Sequence, residues 1–124
     1  MPISKLPEAV TRGQALVREA RLIFTTVGHV GDGNFHLILV LDSSDAAEMR
    51  RASEVNKKLV SLALSLGGTC SGEHGIGMGK LEHLEEEWGK EALYAMGAIK
   101  SALDPNGILN PGKLGDGALF TFRG

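Results

Sequence analysis

Apolar residues recur at helical or strand spacing along most of the chain, and the pattern predicts a helix, two strands and further helices in that order. An amphipathic helix is expected over residues 5–20, where a weak apolar stripe is interrupted by Gly13. Apolar and β-branched residues then fill 21–28 and 35–41, on either side of a Gly-Asp-Gly-Asn turn. This arrangement is typical of a β-hairpin.

A second long helix is predicted after the hairpin. Ser43, Ser44 and Asp45 supply side chains suited to its N-cap. Apolar positions then keep 3.6-residue spacing as far as Leu66, and the glycine pair 67–68 is expected to end the helix.

The second half of the chain begins with a short strand or extended segment at 69–71, which leads into a glycine-rich loop at 72–79. Helices are expected at 80–88 and 90–103, and one short strand at 118–122. The element order therefore predicts an α+β fold in which an antiparallel hairpin packs on helices.

Composition excludes several classes of protein. The 124 residues suffice for one small domain, but a sheet of two or three strands is thin for a free-standing one, so the chain is expected to be part of something larger. The net charge of −2 argues against nucleic acid or anionic lipid as partners. The single cysteine, Cys70, excludes an intrachain disulfide, and no apolar run approaches the roughly 20 residues of a transmembrane segment.

His29 and His36 provide the first chemical hypothesis, because they flank the hairpin turn. A symmetric hairpin centred between Asp32 and Gly33 would place the two histidines directly opposite each other, with Cβ atoms about 5 Å apart. That separation suits two imidazoles that share one metal ion.

Glu73 and His74 provide the second hypothesis. Glycines flank the pair and let adjacent side chains aim at one place, whereas a regular strand sends them to opposite faces. Glu73 or His74 would add a third ligand to the hairpin histidines; two histidines plus a carboxylate leave an open position, which is typical of a catalytic metal site. A histidine beside such a site suits a general base. The fourth histidine, His83, lies in a highly charged helical stretch and is expected to be exposed to solvent.

Two further segments are weaker signals. Residues 75–80 are superficially similar to a nucleotide-binding loop, but the stretch lacks the first glycine and the Ser or Thr that the P-loop pattern requires. Residues 104–114 hold two prolines and two glycines after a predicted helix end. There Asn110 and Lys113 would either face a planar polar ligand or belong to an ordinary helix stop.

Three segments together resemble one family. They are His-Val-Gly-Asp-Gly-Asn-Phe-His at 29–36, Gly-Gly-Thr-Cys-Ser-Gly-Glu-His-Gly-Ile-Gly-Met-Gly-Lys at 67–80, and Leu-Asp-Pro-Asn-Gly-Ile-Leu-Asn-Pro-Gly-Lys at 103–113. They are similar to the C-terminal domain of FAD-linked oxidases. This vanillyl-alcohol-oxidase-type flavoprotein group includes D-lactate dehydrogenase, the glycolate oxidase FAD subunit and D-2-hydroxyglutarate dehydrogenase. The resemblance spans roughly residues 5–114.

The resemblance implies a role for each candidate residue. His29, His36 and Glu73 correspond to the ligands of a divalent metal, zinc or manganese. His74 corresponds to the catalytic base, and Asn110 to an asparagine near the flavin ring. The implied reaction oxidises a D-2-hydroxy acid, as in D-lactate to pyruvate, and passes hydride to FAD. A cytochrome, a quinone or another electron-transfer protein would then reoxidise the flavin.

The resemblance also implies an architecture. Residues 1–124 would form a ferredoxin-like half-domain that caps the flavin, with the N-terminal FAD-binding domain absent, so the chain alone would be inactive. An open sheet edge would favour a homo-oligomer or aggregation. Ile38, where hydroxyglutarate-type enzymes carry a polar residue, favours a smaller substrate such as lactate. The location implied is the cytoplasm in a bacterium or the mitochondrion in a eukaryote.

Four other functions compete with this interpretation. The chain would belong instead to a glycolate oxidase subunit or a D-2-hydroxyglutarate dehydrogenase, or it would be a non-catalytic metal-binding or assembly module. A metal-dependent hydrolase would also use two histidines and a glutamate. A thin sheet argues against the self-sufficient pocket that a hydrolase needs.

Overall fold

The computed structural model describes residues 1–113, so the predicted strand at 118–122 lies outside the described residues. The chain divides into two compact units, Met1–Thr69 and Cys70–Gly124.

The first unit contains the predicted helix, hairpin and second helix. Its elements are α1 (Leu6–Glu19), β1 (Ile23–Val27), β2 (His36–Val40) and α2 (Ala46–Ser65). The predicted α+β class, with an antiparallel hairpin packed on helices, is confirmed. The order helix, strand, strand, helix is also the centre of the β-α-β-β-α-β ferredoxin-like pattern.

The start of α2 depends on Asp45. Its carboxylate accepts hydrogen bonds from the backbone N–H groups of Ala47, at 2.8 Å, and Glu48, at 3.1 Å. These bonds satisfy two donors that the first helical turn leaves unpaired. Because they favour the ionised carboxylate, they lower the pKa of Asp45. Asp45 is therefore the N-cap among the three predicted candidates.

The core of the first unit lies between the helices and one face of the hairpin. Its buried residues are Val17, Leu22, Ala52 and Val55. The hairpin residues that pack on them are Phe24, Leu37 and Leu39. Gly13 is buried at this contact, where an added Cβ would lie 3.0 Å from the Leu59 side chain and 3.2 Å from that of Leu37. The glycine that interrupts the apolar stripe of α1 therefore permits close packing.

The predicted register of the hairpin is wrong. Val27, not His29, lies opposite His36, and His29 belongs to the connection between the strands. A 3₁₀ turn at Val30–Asp32 explains the difference. The residues that form its backbone hydrogen bonds would pair between the strands if the turn had only two residues. Val27 takes the place of His29 and stands two residues before it in the chain. Because side chains alternate between the two faces of a strand, His36 still lies on the face that the symmetric hairpin predicts.

The two faces of the hairpin differ in exposure. Phe24 and Leu39 point toward the helices, while Ile23, Ile38 and Val40 on the opposite face are exposed. His36 belongs to this outward face, at the end where the strands meet the connection.

The second unit contains a 3₁₀ turn, Leu81–His83, which continues into α3 (Leu84–Leu103). Gly89 has φ 75° and ψ 169° and interrupts α3, which confirms the predicted break between two helices. Segment 69–71 is irregular and forms no strand with the described residues. At Cys70 the side chains of Glu87 and Lys80 occupy the N–H and the C=O that a strand would use.

No helix within residues 1–113 combines the length and the hydropathy that crossing a lipid bilayer requires.

Candidate functional site

His29 and His36 lie next to each other at one end of the hairpin. Their ring centroids are 6.4 Å apart, the ring planes are nearly perpendicular at 87°, and a ring nitrogen of one lies within 4.8 Å of a ring nitrogen of the other. His29 is exposed and His36 is half-buried. The predicted proximity is confirmed although the predicted pairing is not.

The connection between the strands brings His29 to this position. The His29 carbonyl accepts hydrogen bonds from the N–H groups of Asp32, at 2.9 Å, and Asn34, at 3.2 Å, which fold the chain back toward β2. At Gly28 the two sides of the connection approach so closely that an added Cβ would lie 2.5 Å from the Asn34 carbonyl oxygen. A glycine is therefore required beside the histidine.

The histidine pair fits a shared metal ion. Two nitrogens bound to one tetrahedral zinc at about 2.0–2.1 Å would lie roughly 3.3 Å apart. The 4.8 Å within which the two ring nitrogens lie is comparable with that separation. Imidazole nitrogen is a preferred donor for zinc, and an added carboxylate extends the set toward manganese.

Glu73 and His74 lie together in the second unit. His74 Nε2 is 3.8 Å from Glu73 Oε1, with 75% of the His74 side chain and 43% of the Glu73 side chain exposed. Gly75 has φ 77°, in the left-handed region that favours glycine, and its carbonyl accepts a hydrogen bond from Ser71 Oγ at 2.8 Å. The glycine-rich loop thus turns adjacent side chains toward one place, as predicted. That Glu73 binds one metal ion together with His29 and His36 stays a prediction.

The base of this loop is held by two residues that the sequence reasoning missed. Glu87 accepts a hydrogen bond from the Cys70 N–H at 2.9 Å, and Lys80 Nζ donates one to the Cys70 carbonyl at 2.7 Å. Burial, followed by the hydrogen bond and the negative charge of Glu87, raises the pKa of the Cys70 thiol to about 11. No sequence motif marks Glu87, since it stands in an acidic run.

Asn110 lies on a groove of the second unit with a volume of about 670 Å³. The groove is lined by apolar side chains of α3 and of the segment after it, together with a glycine and polar or charged residues: Gly77, Met96, Ile99, Lys100, Leu103, Asp104, Leu109, Asn110 and Lys113. Gly77 belongs to the same glycine-rich loop as His74, so this loop and the segment that carries Asn110 both line the groove.

Asp104 shapes the segment that presents Asn110. It is buried and accepts hydrogen bonds from the N–H groups of Ile108 and Leu109, each at 2.9 Å, and from Lys100. The Lys100 contact, followed by the two backbone bonds, lowers the pKa of Asp104. Asn110 itself has φ 48°, which this folded segment sustains.

The prediction for His83 is wrong, because its side chain is only 7% exposed. The 3₁₀ turn before α3 places His83 beside the buried Leu84 in the interior, although the charged residues around it in sequence predict exposure to solvent. Carboxylate oxygens of Glu82 and Glu86 lie 3.7 and 3.9 Å from its ring, and Nε2 makes no hydrogen bond with any described residue.

Comparison with known proteins points to one family. The family described as FAD linked oxidases, C-terminal domain, matches residues 1–114. The mitochondrial D-lactate dehydrogenase [cytochrome] of Arabidopsis thaliana is 46% identical over 114 residues, 92% of this chain and 20% of the relative. The mitochondrial D-lactate dehydrogenase [cytochrome] 1 of Saccharomyces cerevisiae is 39% identical, covering 92% and 19%.

A bacterial relative has a different name. The glycolate oxidase subunit GlcD of Escherichia coli K12 is 35% identical over 113 residues, 91% of this chain and 23% of the relative. The chain thus spans about a fifth of the length of the curated relatives that it matches.

Proposed function

This chain belongs to the FAD linked oxidases, C-terminal domain, family, and from that premise we propose that it is the substrate- and metal-binding part of an FAD-dependent D-2-hydroxy-acid dehydrogenase. The proposed reaction is of the D-lactate to pyruvate type. The proposal rests on the close approach of His29 and His36 within a segment that is 46% identical to a D-lactate dehydrogenase.

His29, His36 and Glu73 are the residues that would hold a divalent metal, zinc or manganese. When bound, the metal would polarise the hydroxyl and carboxylate oxygens of a small 2-hydroxy acid. His74 would accept the hydroxyl proton on a ring nitrogen, a role suited to its exposed position beside Glu73. Ile38, exposed on the face that carries His36, would favour a short apolar substituent over a second carboxylate.

The groove of the second unit fits part of a flavin ring. Its volume lies within the roughly 300–1,000 Å³ of ligand pockets, and its apolar walls suit a planar aromatic group. Asn110 would donate a hydrogen bond to the ring, and Lys113, which lines the same groove, would add a positive charge. FAD, when bound, would supply the hydride acceptor.

The partners proposed for this domain are an FAD-binding domain outside residues 1–124 and an electron acceptor. That acceptor would be a cytochrome, a quinone or an electron-transfer protein. The proposed location is mitochondrial in a eukaryote and cytoplasmic in a bacterium.

Glycolate is the second candidate substrate, favoured by the 35% identity to the bacterial glycolate oxidase subunit. A comparison of kcat/KM for D-lactate, glycolate and D-2-hydroxyglutarate, in the flavin enzyme that carries this segment, separates the candidates. A preference for glycolate or D-2-hydroxyglutarate would overturn the D-lactate proposal.

The metal assignment is tested by reconstituting the 124-residue chain with Zn²⁺ or Mn²⁺ and measuring metal by mass spectrometry. We expect about one metal per chain, and at least a tenfold loss of affinity in His29→Ala or His36→Ala, because loss of an outer-shell partner alone costs 10–100-fold. His83→Gln, checked for folding by circular dichroism, is the control that removes a histidine outside the proposed site. Equal metal binding by all four chains would exclude the assignment.

The base assignment is tested by His74→Ala in the flavin enzyme that carries this segment. Loss of a general base is expected to slow single-turnover flavin reduction by about 10²–10⁴-fold while the metal content stays unchanged. A reduction rate equal to that of the unmodified enzyme would remove His74 from this role.

A further inference from the structure

The loop that carries Glu73 and His74 begins and ends at one point of the second unit. Lys80, at its far end, reaches back and donates to the carbonyl oxygen of Cys70 at 2.7 Å. Glu87, on the first turn of α3, accepts from the N–H of the same residue at 2.9 Å. Both polar backbone groups of Cys70 are therefore held by charged side chains.

The loop has little other regular structure. It contains no helix or strand over residues 72–79. Bonds within it include those from Ser71 Oγ to the Gly75 carbonyl, at 2.8 Å, and from the Lys80 N–H to the Ile76 carbonyl, at 3.3 Å. Its glycines lose more conformational freedom on ordering than any other residue. The way in which the base is held therefore contributes to the direction in which Glu73 and His74 point.

The surroundings strengthen the two bonds at the base. Cys70 is buried and both side chains are half-buried, so the bonds are shielded from water. Hydrogen bonds with one charged partner are stronger than those between neutral groups. Lys80 and Glu87 also carry opposite charges, so the pair adds no net charge beside Cys70.

We propose that Lys80 and Glu87 are positioning residues, which form a clamp on Cys70 and so hold Glu73 and His74 oriented for metal binding and proton transfer. The catalytic half of this inference rests on the proposed function of Glu73 and His74. The clamp itself is a property of the loop and is measurable without a metal.

The clamp is tested by amide hydrogen exchange of the 124-residue chain. Lys80→Met and Glu87→Gln are each expected to raise the exchange rate of the peptide covering 70–79 by about tenfold. Lys90→Met and Glu85→Gln are matched controls on α3, because these residues form an exposed ion pair at 3.7 Å. The conservative Lys80→Arg is expected to retain the wild-type exchange rate. Exchange in the two clamp variants equal to the controls would overturn the clamp.

The effect on the site is tested by Zn²⁺ titration of the same chains. The clamp variants are expected to bind Zn²⁺ about 10–100-fold more weakly than wild type, as for other residues that orient a ligand. Lys80→Arg and the controls are expected to bind as wild type does. Faster loop exchange with unchanged Zn²⁺ affinity would overturn the positioning role. A wild-type chain without Zn²⁺ affinity would instead contradict the proposed metal site, and the exchange measurement would still decide the clamp.

Discussion

At the scale of single residues, Gly28 shows how closely the site depends on one missing side chain. An added Cβ would lie 2.5 Å from the Asn34 carbonyl oxygen and 2.7 Å from the Phe35 Cα, and backbone atoms cannot rotate away. We expect Gly28→Ala to lower the free energy of unfolding by about 1–3 kcal/mol, as overpacked sites do. Urea denaturation measures this change.

Gly31 supplies the control for that prediction, since it lies in the same connection with nothing within 4 Å of an added Cβ. Gly31→Ala is expected to change stability by less than about 0.5 kcal/mol. Equal effects of the two substitutions would show that the close approach at Gly28 does not constrain the connection.

At the scale of elements, the segment after α3 depends on Asp104. Its carboxylate holds the N–H groups of Ile108 and Leu109, so Asp104→Ala would leave both without this acceptor. We expect trypsin to cleave after Lys113 several-fold faster in this variant, with cleavage after Lys90 in α3 unchanged. Ser101→Ala, an exposed change on α3, is the control.

The same carboxylate gives this segment a pH dependence. The pKa of Asp104 is lowered in the folded state, mainly by Lys100, so its ionised form is favoured there. Its stabilising contribution is fully present above the ordinary value of 3.8 and is lost as pH falls through the lowered pKa. Protection of residues 105–113 from pepsin, which works in acid and cleaves at apolar residues, should therefore decline only below about pH 4, and Asp104→Ala should abolish that dependence.

At the scale of the whole molecule, the described sheet consists of two strands and presents an apolar face. Within residues 1–113 each strand has one outer edge that no further strand covers. Ile23, Ile38 and Val40 are exposed on the face opposite the core. Open edges and exposed apolar residues favour pairing with another chain.

We therefore expect the isolated 124-residue chain to form dimers or larger species. Light scattering across a range of protein concentrations measures this, and Ile38→Lys on the outward face should shift the distribution toward monomer. A monodisperse monomer at all concentrations would contradict the prediction.

The sequence by itself determined the element order, the caps and breaks of the helices, and the identity of the candidate residues. These features are local, because helix periodicity, the Asp45 cap and the break at Gly89 depend on neighbouring residues alone. Three long motifs also sufficed to indicate the family that the comparison showed.

Only the tertiary structure decided which residues meet. The 3₁₀ turn in the hairpin places Val27 opposite His36. His83 is buried at the start of α3, and Lys80 and Glu87 both form hydrogen bonds with the backbone of Cys70. The turn depends on specific backbone hydrogen bonds, and the other two depend on packing or contacts with residues farther along the chain; a local pattern of apolar and polar positions encodes neither. The two histidines still lie close together because the connection folds back on the His29 carbonyl, which accepts hydrogen bonds from the N–H groups of Asp32 and Asn34.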